Sequence, residues 1–201
     1  MPAPTPLHPR VYSFEGVTPV IDPSAYVHPD AVLIGDVIVG PGCYVGPGAV
    51  LRGDFGRIVM QRESNLQDNC VVHSGPGFDC EIQERAHIGH GAVVHYCRIG
   101  RDALVGMNAV VMDKAVVGES TIVAAMSFVK AGMQVPPRVL VAGVPGKVVR
   151  ELTDADIAGK RVGTRMYVEL AQRCLAGQVP AEPLAAVEAG RRRTRWAIGR
   201  G

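Results

Sequence analysis

His73, His90 and His95 fall within one window of 23 residues (73 to 95) in a chain that has six histidines in 201 residues. Neutral imidazole is the commonest side-chain ligand for metals such as zinc. Three imidazoles and one open position form a hydrolytic zinc shell. A metal so held lowers the pKa of its water to about 7 and yields hydroxide at neutral pH. Any one outward histidine, taken alone, reads as a surface or interface residue. The three together point to metal only if the backbone brings them close.

The surrounding repeat says where they point. Ile21, Val27, Leu33, Val39, Val45 and Leu51 recur every six residues. Four residues after most of them stands a small side chain: Ala25, Ala31, Val37, Cys43, Ala49. The ladder slips by nine from Leu51 to Met60, which implies a three-residue bulge, and resumes at Leu66 and Val72. After a gap of ten come Ile82, Ile88 and Val94; after a step of five, Ile99, Val105, Val111, Val117, Val123 and Val129. A period of six suits neither an amphipathic helix nor simple strand alternation. It marks an all-β solenoid of stacked short parallel strands, a hexapeptide β-helix. Three hexapeptides close one triangular coil, and parallel strands of successive coils lie about 4.8 Å apart.

His73 follows Val72 and His95 follows Val94, three steps later, which is one full coil. The two therefore stack on one outer face. His90 belongs to the step beginning at Ile88 and falls on another face or a corner. One chain does not easily gather all three; a ring of solenoids does, with His90 crossing the interface. His87 reads as structural, and His8 and His28 carry no partner signal.

The stretches Leu51-Arg52-Gly53-Asp54, Asn65-Leu66-Gln67-Asp68-Asn69, His73 and Ile88 through His95 resemble the gamma-class carbonic anhydrase family. Ala31 through Val37, Leu51 through Val59, Gln67 through Val71 and Leu104 through Asp113 narrow the likeness to its PaaY/CaiE branch. It extends through Val144-Pro145 and Arg150-Glu151-Leu152 to Glu182-Pro183-Leu184 and Arg191-Arg192-Arg193. The resemblance implies a left-handed parallel β-helix with a C-terminal α-helix, assembled as a homotrimer. It also implies zinc, or another divalent metal such as iron or cobalt, at each subunit interface. His73, His90 and His95 would be the ligands, with His90 from the adjacent chain. Gln67 would orient the metal-bound water, and Arg52, Asp54 and Asp68 would form a charged network beside it. Plain interface ion pairing is the other reading of Arg52, Asp54 and Asp68. The PaaY side of that branch, which the likeness favours, implies a thioesterase acting on CoA thioester intermediates of phenylacetate degradation. Carbon dioxide hydration is disfavoured, because Asp54-Phe55-Gly56-Arg57 and the 74–80 loop lack the family's proton-shuttle glutamates. An acyltransferase and a non-catalytic trimeric scaffold are the remaining readings. The loop Gly75-Pro76-Gly77-Phe78 is either one wall of a substrate cleft or a plain surface loop.

The length suits a single domain. The expected divisions are a flexible N-terminal extension over 1–14, the β-helix over 15–135, an extended exit over 136–152, a helix over 153–177 and a basic tail over 178–201. Thr153 suits a helix N-cap, with Asp154 and Asp156 in the first turn; the helix is expected to pack antiparallel on the solenoid wall. No apolar run approaches membrane-spanning length, and MPAPTPLHPR lacks the apolar core of a secretory signal. The five cysteines form no spaced framework, which fits a reducing cytoplasm. Cys97, near His95, is either a softer metal ligand or, more in keeping with its slot, a buried small residue. Arg191, Arg192, Arg193 and Arg195 beside Trp196 suit CoA phosphates or nucleic acid, with a solvated tail the plainer reading. A net charge of only +2 argues against nucleic acid as the main partner.

Overall fold

The computed structural model describes residues 8–194. It is a left-handed parallel β-helix of about seven turns carrying one C-terminal helix. The first face stacks Val50–Met60 (through its first half), Val71–His73, Val93–His95, Val110–Val111 and Phe128–Val129. The second stacks the far half of Val50–Met60 on Cys80–Ile82, Arg98–Ile99, Val116–Val117 and Gln134–Val135. The third runs from Tyr26–Val27 through Tyr44–Val45, Asn65–Leu66, His87–Ile88, Leu104–Val105 and Ile122–Val123 to Val139–Ala142. Every pairing in these stacks is parallel and in register, so like residues lie on like.

The core is a set of columns. Leu33, Leu51, Val72, Val94, Val111 and Val129 form one, all fully buried. Each such side chain contributes about 1.5–3 kcal/mol by leaving water. Small residues fill the corners: Ala31, Ala49, Cys70, Ala92 and Ala109 stack where a larger side chain has no room. Cys97 sits in such a corner slot, fully buried. Corner backbone enters the left-handed region, at Gly91 (φ 70°) and at Asn69 (φ 58°) one coil below. Glycine and asparagine tolerate it best.

The nine-residue slip is a bulge at the corner between the first two faces. Gly35 pairs with Gly53 and Val37 with Ile58, so four residues, Asp54 to Arg57, stand opposite Asp36 alone. A Cβ on Gly53 would lie 2.5 Å from Asp36 O, so the backbones can meet there only through glycine. The bulge projects Asp54 and Phe55 outward.

Two expected boundaries change. Arg10–Tyr12, assigned to a flexible extension, is a strand that pairs in parallel with Val32–Val39; residues 1–7 of that extension lie outside the described residues. The first coil offers an open row of backbone groups, and this strand satisfies part of it. Within the expected exit over 136–152, Val139–Ala142 completes the third face and Lys147–Glu151 returns antiparallel to it. Lys147–Glu151 thus covers the C-terminal edge of the third face.

The helix spans Asp154–Gly177 behind a Thr153 capping box, in which the Asp156 carboxylate accepts from Thr153 N at 2.8 Å. It lies on the third face and runs against the direction of coil growth. Near its start it is tied to Arg85 and Asp102, at equivalent corners of successive coils, and at its end Tyr26 donates to Gln178 at 2.5 Å. Tyr26 and Tyr44 of the solenoid form a buried apolar patch with Ala171 of the helix, and Tyr167 of the helix packs alongside. Asp102, 1% exposed, meets Arg161 at 3.0 Å, Arg85 at 3.3 Å and Lys160 at 3.6 Å. Burial pushes Lys160 down to about 8 against the pull of Asp102.

Candidate metal centre

At the end of the first face, Arg52, His73 and His95 occupy one register position in three successive coils. Alternation decides this: Val72 and Val94 point into the core, so the residue after each points out. The imidazole centroids are 5.2 Å apart and tilted by 49°. His73 Nδ1 lies 3.2 Å from His95 Nε2. Two nitrogen ligands of one tetrahedral zinc, each bonded at about 2.0–2.1 Å, stand roughly 3.3 Å apart. The facing nitrogens therefore fit a shared metal.

The outward nitrogens strengthen that fit. His73 Nε2 is 3.1 Å from Asp54 Oδ1, and His95 Nδ1 contacts Asp113 Oδ1. A carboxylate on the far nitrogen holds the proton there and turns the near lone pair toward a metal. Arg52 Nη1 donates to Asp54 Oδ2 at 2.7 Å. Burial works to raise the Asp54 carboxyl, but the hydrogen bonds from Arg52 and His73 outweigh it and bring it below its ordinary value. Burial pushes His73 below the usual imidazole range, so its neutral form is favoured. Phe55, from the bulge, packs 5.4 Å from the His73 ring and under the Arg52 guanidinium.

Gln67, Asp68 and His90 stand elsewhere, at the corner between the third and first faces. His90, between Gly89 and Gly91, has its side chain 45% exposed and lies 3.0 Å from Asp68 Oδ2. Gln67 is buried; its Nε2 lies 3.1 Å from Asn65 Oδ1 and 2.6 Å from His87 Nε2. No hydrogen bond or ion pair among the described residues joins this corner to Arg52, Asp54, His73 and His95. Within one chain, no three described His, Cys, Asp or Glu groups converge on a metal position. Gln67, His87, His90, Met107, Ala125 and Tyr167 line a cleft of about 380 Å³.

Two residues of these clusters escaped the sequence reading. Asp113 lies in the coil after His95 but at a corner, where the six-residue step predicts neither face nor direction. His87 was read as structural. It sits against Gln67, and burial, reinforced by the charge of nearby Lys160, pushes it down to about 4. The 74–79 loop folds back on itself, with Gly75 bridged to Phe78. Phe78 packs edge-on against Tyr96 at 5.4 Å, and Tyr96 donates to Pro76 O. Arg191 pairs with Glu188 at 2.7 Å, while Arg195 and Trp196 lie outside the described residues.

Residues 18–53 match the family model described as bacterial transferase hexapeptide, six repeats. The chain is 56% identical over 185 residues to the carnitine operon protein CaiE of Proteus sp. (strain LE138), covering 92% of this chain and 94% of that protein. A hexapeptide transferase family protein from Anaplasma phagocytophilum superposes with a TM-score of 0.78 at 36% identity, over 81% of this chain and 96% of that one. The Bacillus cereus BC4754 gene product, described with a provisional acetyltransferase assignment, superposes with a TM-score of 0.82 at 32% identity, over 83% and 97%. The motifs point to the PaaY side of that branch; close relatives carry the CaiE name instead, which corrects the resemblance from PaaY to CaiE within the same branch.

Proposed function

The chain belongs to the hexapeptide-repeat family of the carnitine operon protein CaiE, and from that premise we propose that it is a homotrimeric, metal-dependent hydrolase of acyl-CoA thioesters. One observation carries the reading: His73 Nδ1 and His95 Nε2 face each other at 3.2 Å, each ring backed by a carboxylate. His90 of a neighbouring copy is the third ligand in this reading. Its corner is half-exposed, and the two groups of site residues flank the same face, so a rotated copy can complete the set. Zinc is the first candidate, with iron or cobalt as alternatives. A metal bound there supplies a Lewis acid for the thioester carbonyl and acidifies a water to about neutral pH.

The chain's own groups do the rest. Gln67 holds the attacking water by a hydrogen bond, while Asp54 and Asp113 fix the two stacked imidazoles. Arg52 keeps Asp54 ionised, and Asp68 orients His90. In the reaction the water oxygen bonds to the carbonyl carbon, the carbon–sulfur bond breaks, and the water's proton ends on the departing thiol. The products are a carboxylic acid and free CoA. We retain CoA thioesters of phenylacetate breakdown as candidate substrates, and the relatives' carnitine name adds thioesters of trimethylammonium acids. The chain's cysteines are all free, and no described helix is long and apolar enough to cross a membrane; we infer a cytoplasmic site of action.

The test is hydrolysis of a CoA thioester panel by metal-replete protein, with a chelated control and carbon dioxide hydration measured in parallel. The transferase descriptions of the structural relatives favour acyl transfer as a second reading, so an amine acceptor belongs in the same assay. Metal-dependent release of CoA without acceptor supports the hydrolase. Dominant hydration restores the anhydrase, CoA release only with acceptor selects transfer, and silence with metal bound leaves the scaffold.

A further inference from the structure

We propose that His87 is a positioning residue that fixes which end of the Gln67 carboxamide faces the cleft. The inference rests on the role given to Gln67 above. A carboxamide has two N–H donors and one carbonyl acceptor. Gln67 Nε2 meets Asn65 Oδ1 at 3.1 Å and His87 Nε2 at 2.6 Å, so both hydrogens are taken inside the third face. The carbonyl oxygen is the end left for the cleft that Gln67 lines beside His90. Gln67 thus presents an acceptor. An acceptor there takes an O–H of the attacking water and leaves an oxygen lone pair free for a carbonyl carbon. A donor in its place would occupy that lone pair.

The arrangement demands a neutral ring. An amide nitrogen does not accept, so His87 Nε2 must carry the lone pair and Nδ1 the hydrogen. A neutral imidazole has one ring lone pair, which the 2.6 Å contact uses; the 3.3 Å approach of Asn65 Nδ2 to Nδ1 is then not a hydrogen bond. The groups around the ring agree with neutrality. Lys160 and Tyr167 face it from the helix, Asn65, Gln67 and His90 from the solenoid, and no carboxylate among the described residues hydrogen-bonds to it. Tyr167 packs edge-on at 5.3 Å and 85°, limiting ring rotation. A charged ring would donate from Nε2 and turn the Gln67 amide over, presenting N–H groups to the cleft.

The experiment has two arms. The first reads the His87 ring nitrogens by ¹⁵N NMR in metal-free trimer at neutral pH; a neutral ring protonated on Nδ1 is expected. The second compares His87→Phe, which keeps an aromatic ring against Tyr167, with His87→Gln, which restores a carbonyl acceptor. Loss of an outer-shell partner should lower kcat of His87→Phe by about 10- to 100-fold, with KM and metal content unchanged, and His87→Gln should stay near wild type. An imidazolium or an Nε2–H ring overturns the proposal, as does wild-type kcat in a folded, trimeric His87→Phe protein. If wild-type protein hydrolyses no thioester, the thioesterase reading fails by itself and the ring tautomer still decides the His87–Gln67 arrangement.

Discussion

Asp113 is the residue whose removal tests the site most cleanly, because it touches His95 and belongs to no core column. Asp113→Asn should leave the fold intact and weaken metal binding by about 10- to 100-fold, read by competition with a chromophoric chelator. Unchanged affinity would remove the carboxylate–imidazole pairing from the account. Sequence reading reached His73 and His95 because two residues on equivalent outward positions of a periodic strand must stack. It did not reach Asp113, because corner residues leave the strand at angles the period does not encode. Nor did it reach the His87–Gln67 contact. Asn65 and His87 share a register position in adjacent coils, so the ladder implies that they are neighbours. That a buried amide reaches across from Gln67 depends on rotamers.

The helix is an element whose ends were legible and whose anchor was not. Thr153, Asp154 and Asp156 announce its start by local capping chemistry, which needs no knowledge of the solenoid. The knot of Asp102 with Arg85, Lys160 and Arg161 joins residues up to 75 apart in the chain, and nothing local foretells it. Asp102→Ala leaves Lys160 buried with its carboxylate gone, and breaking such a pair costs about 3–5 kcal/mol. Thermal or urea unfolding should show that loss, with hydrogen exchange fastest in the helix. The cations around Asp102 outweigh its burial and hold its carboxyl below the ordinary aspartate value. Its contribution is therefore complete above the unfolded carboxyl's pKa, near 3.9. It disappears as acid takes the pH down through the lower folded value. In an acid titration wild type should lose stability over that window, and Asp102→Ala should lose less. The missed hairpin over 139–151 has a similar explanation: its strand forms by pairing with an exposed edge, and Pro136-Pro137 and Gly143 mask it locally.

At the scale of the whole molecule the separation of the two site corners is the governing fact. His90→Ala should still assemble as a trimer yet lose its metal, measured by light scattering and elemental analysis on one sample. Full metal content in that variant would sink the proposed ligand set. Mixing His73→Ala and His90→Ala chains and reassembling them should recover part of the activity, because some interfaces then hold two intact halves. Absence of recovery after verified mixing counts against a shared site.

The helix also changes what kind of object the stack is. Coils that touch only their neighbours come apart one at a time from either end. Here a single rod is fastened near the coil of Asp102 and again at Tyr26, several coils below. It splints the lower stack as a batten holds loose boards. Pulled from its amino end in an optical trap, the lower solenoid should resist and then give way in one large rip, whereas a chain truncated after residue 152 should unravel in small, coil-sized steps.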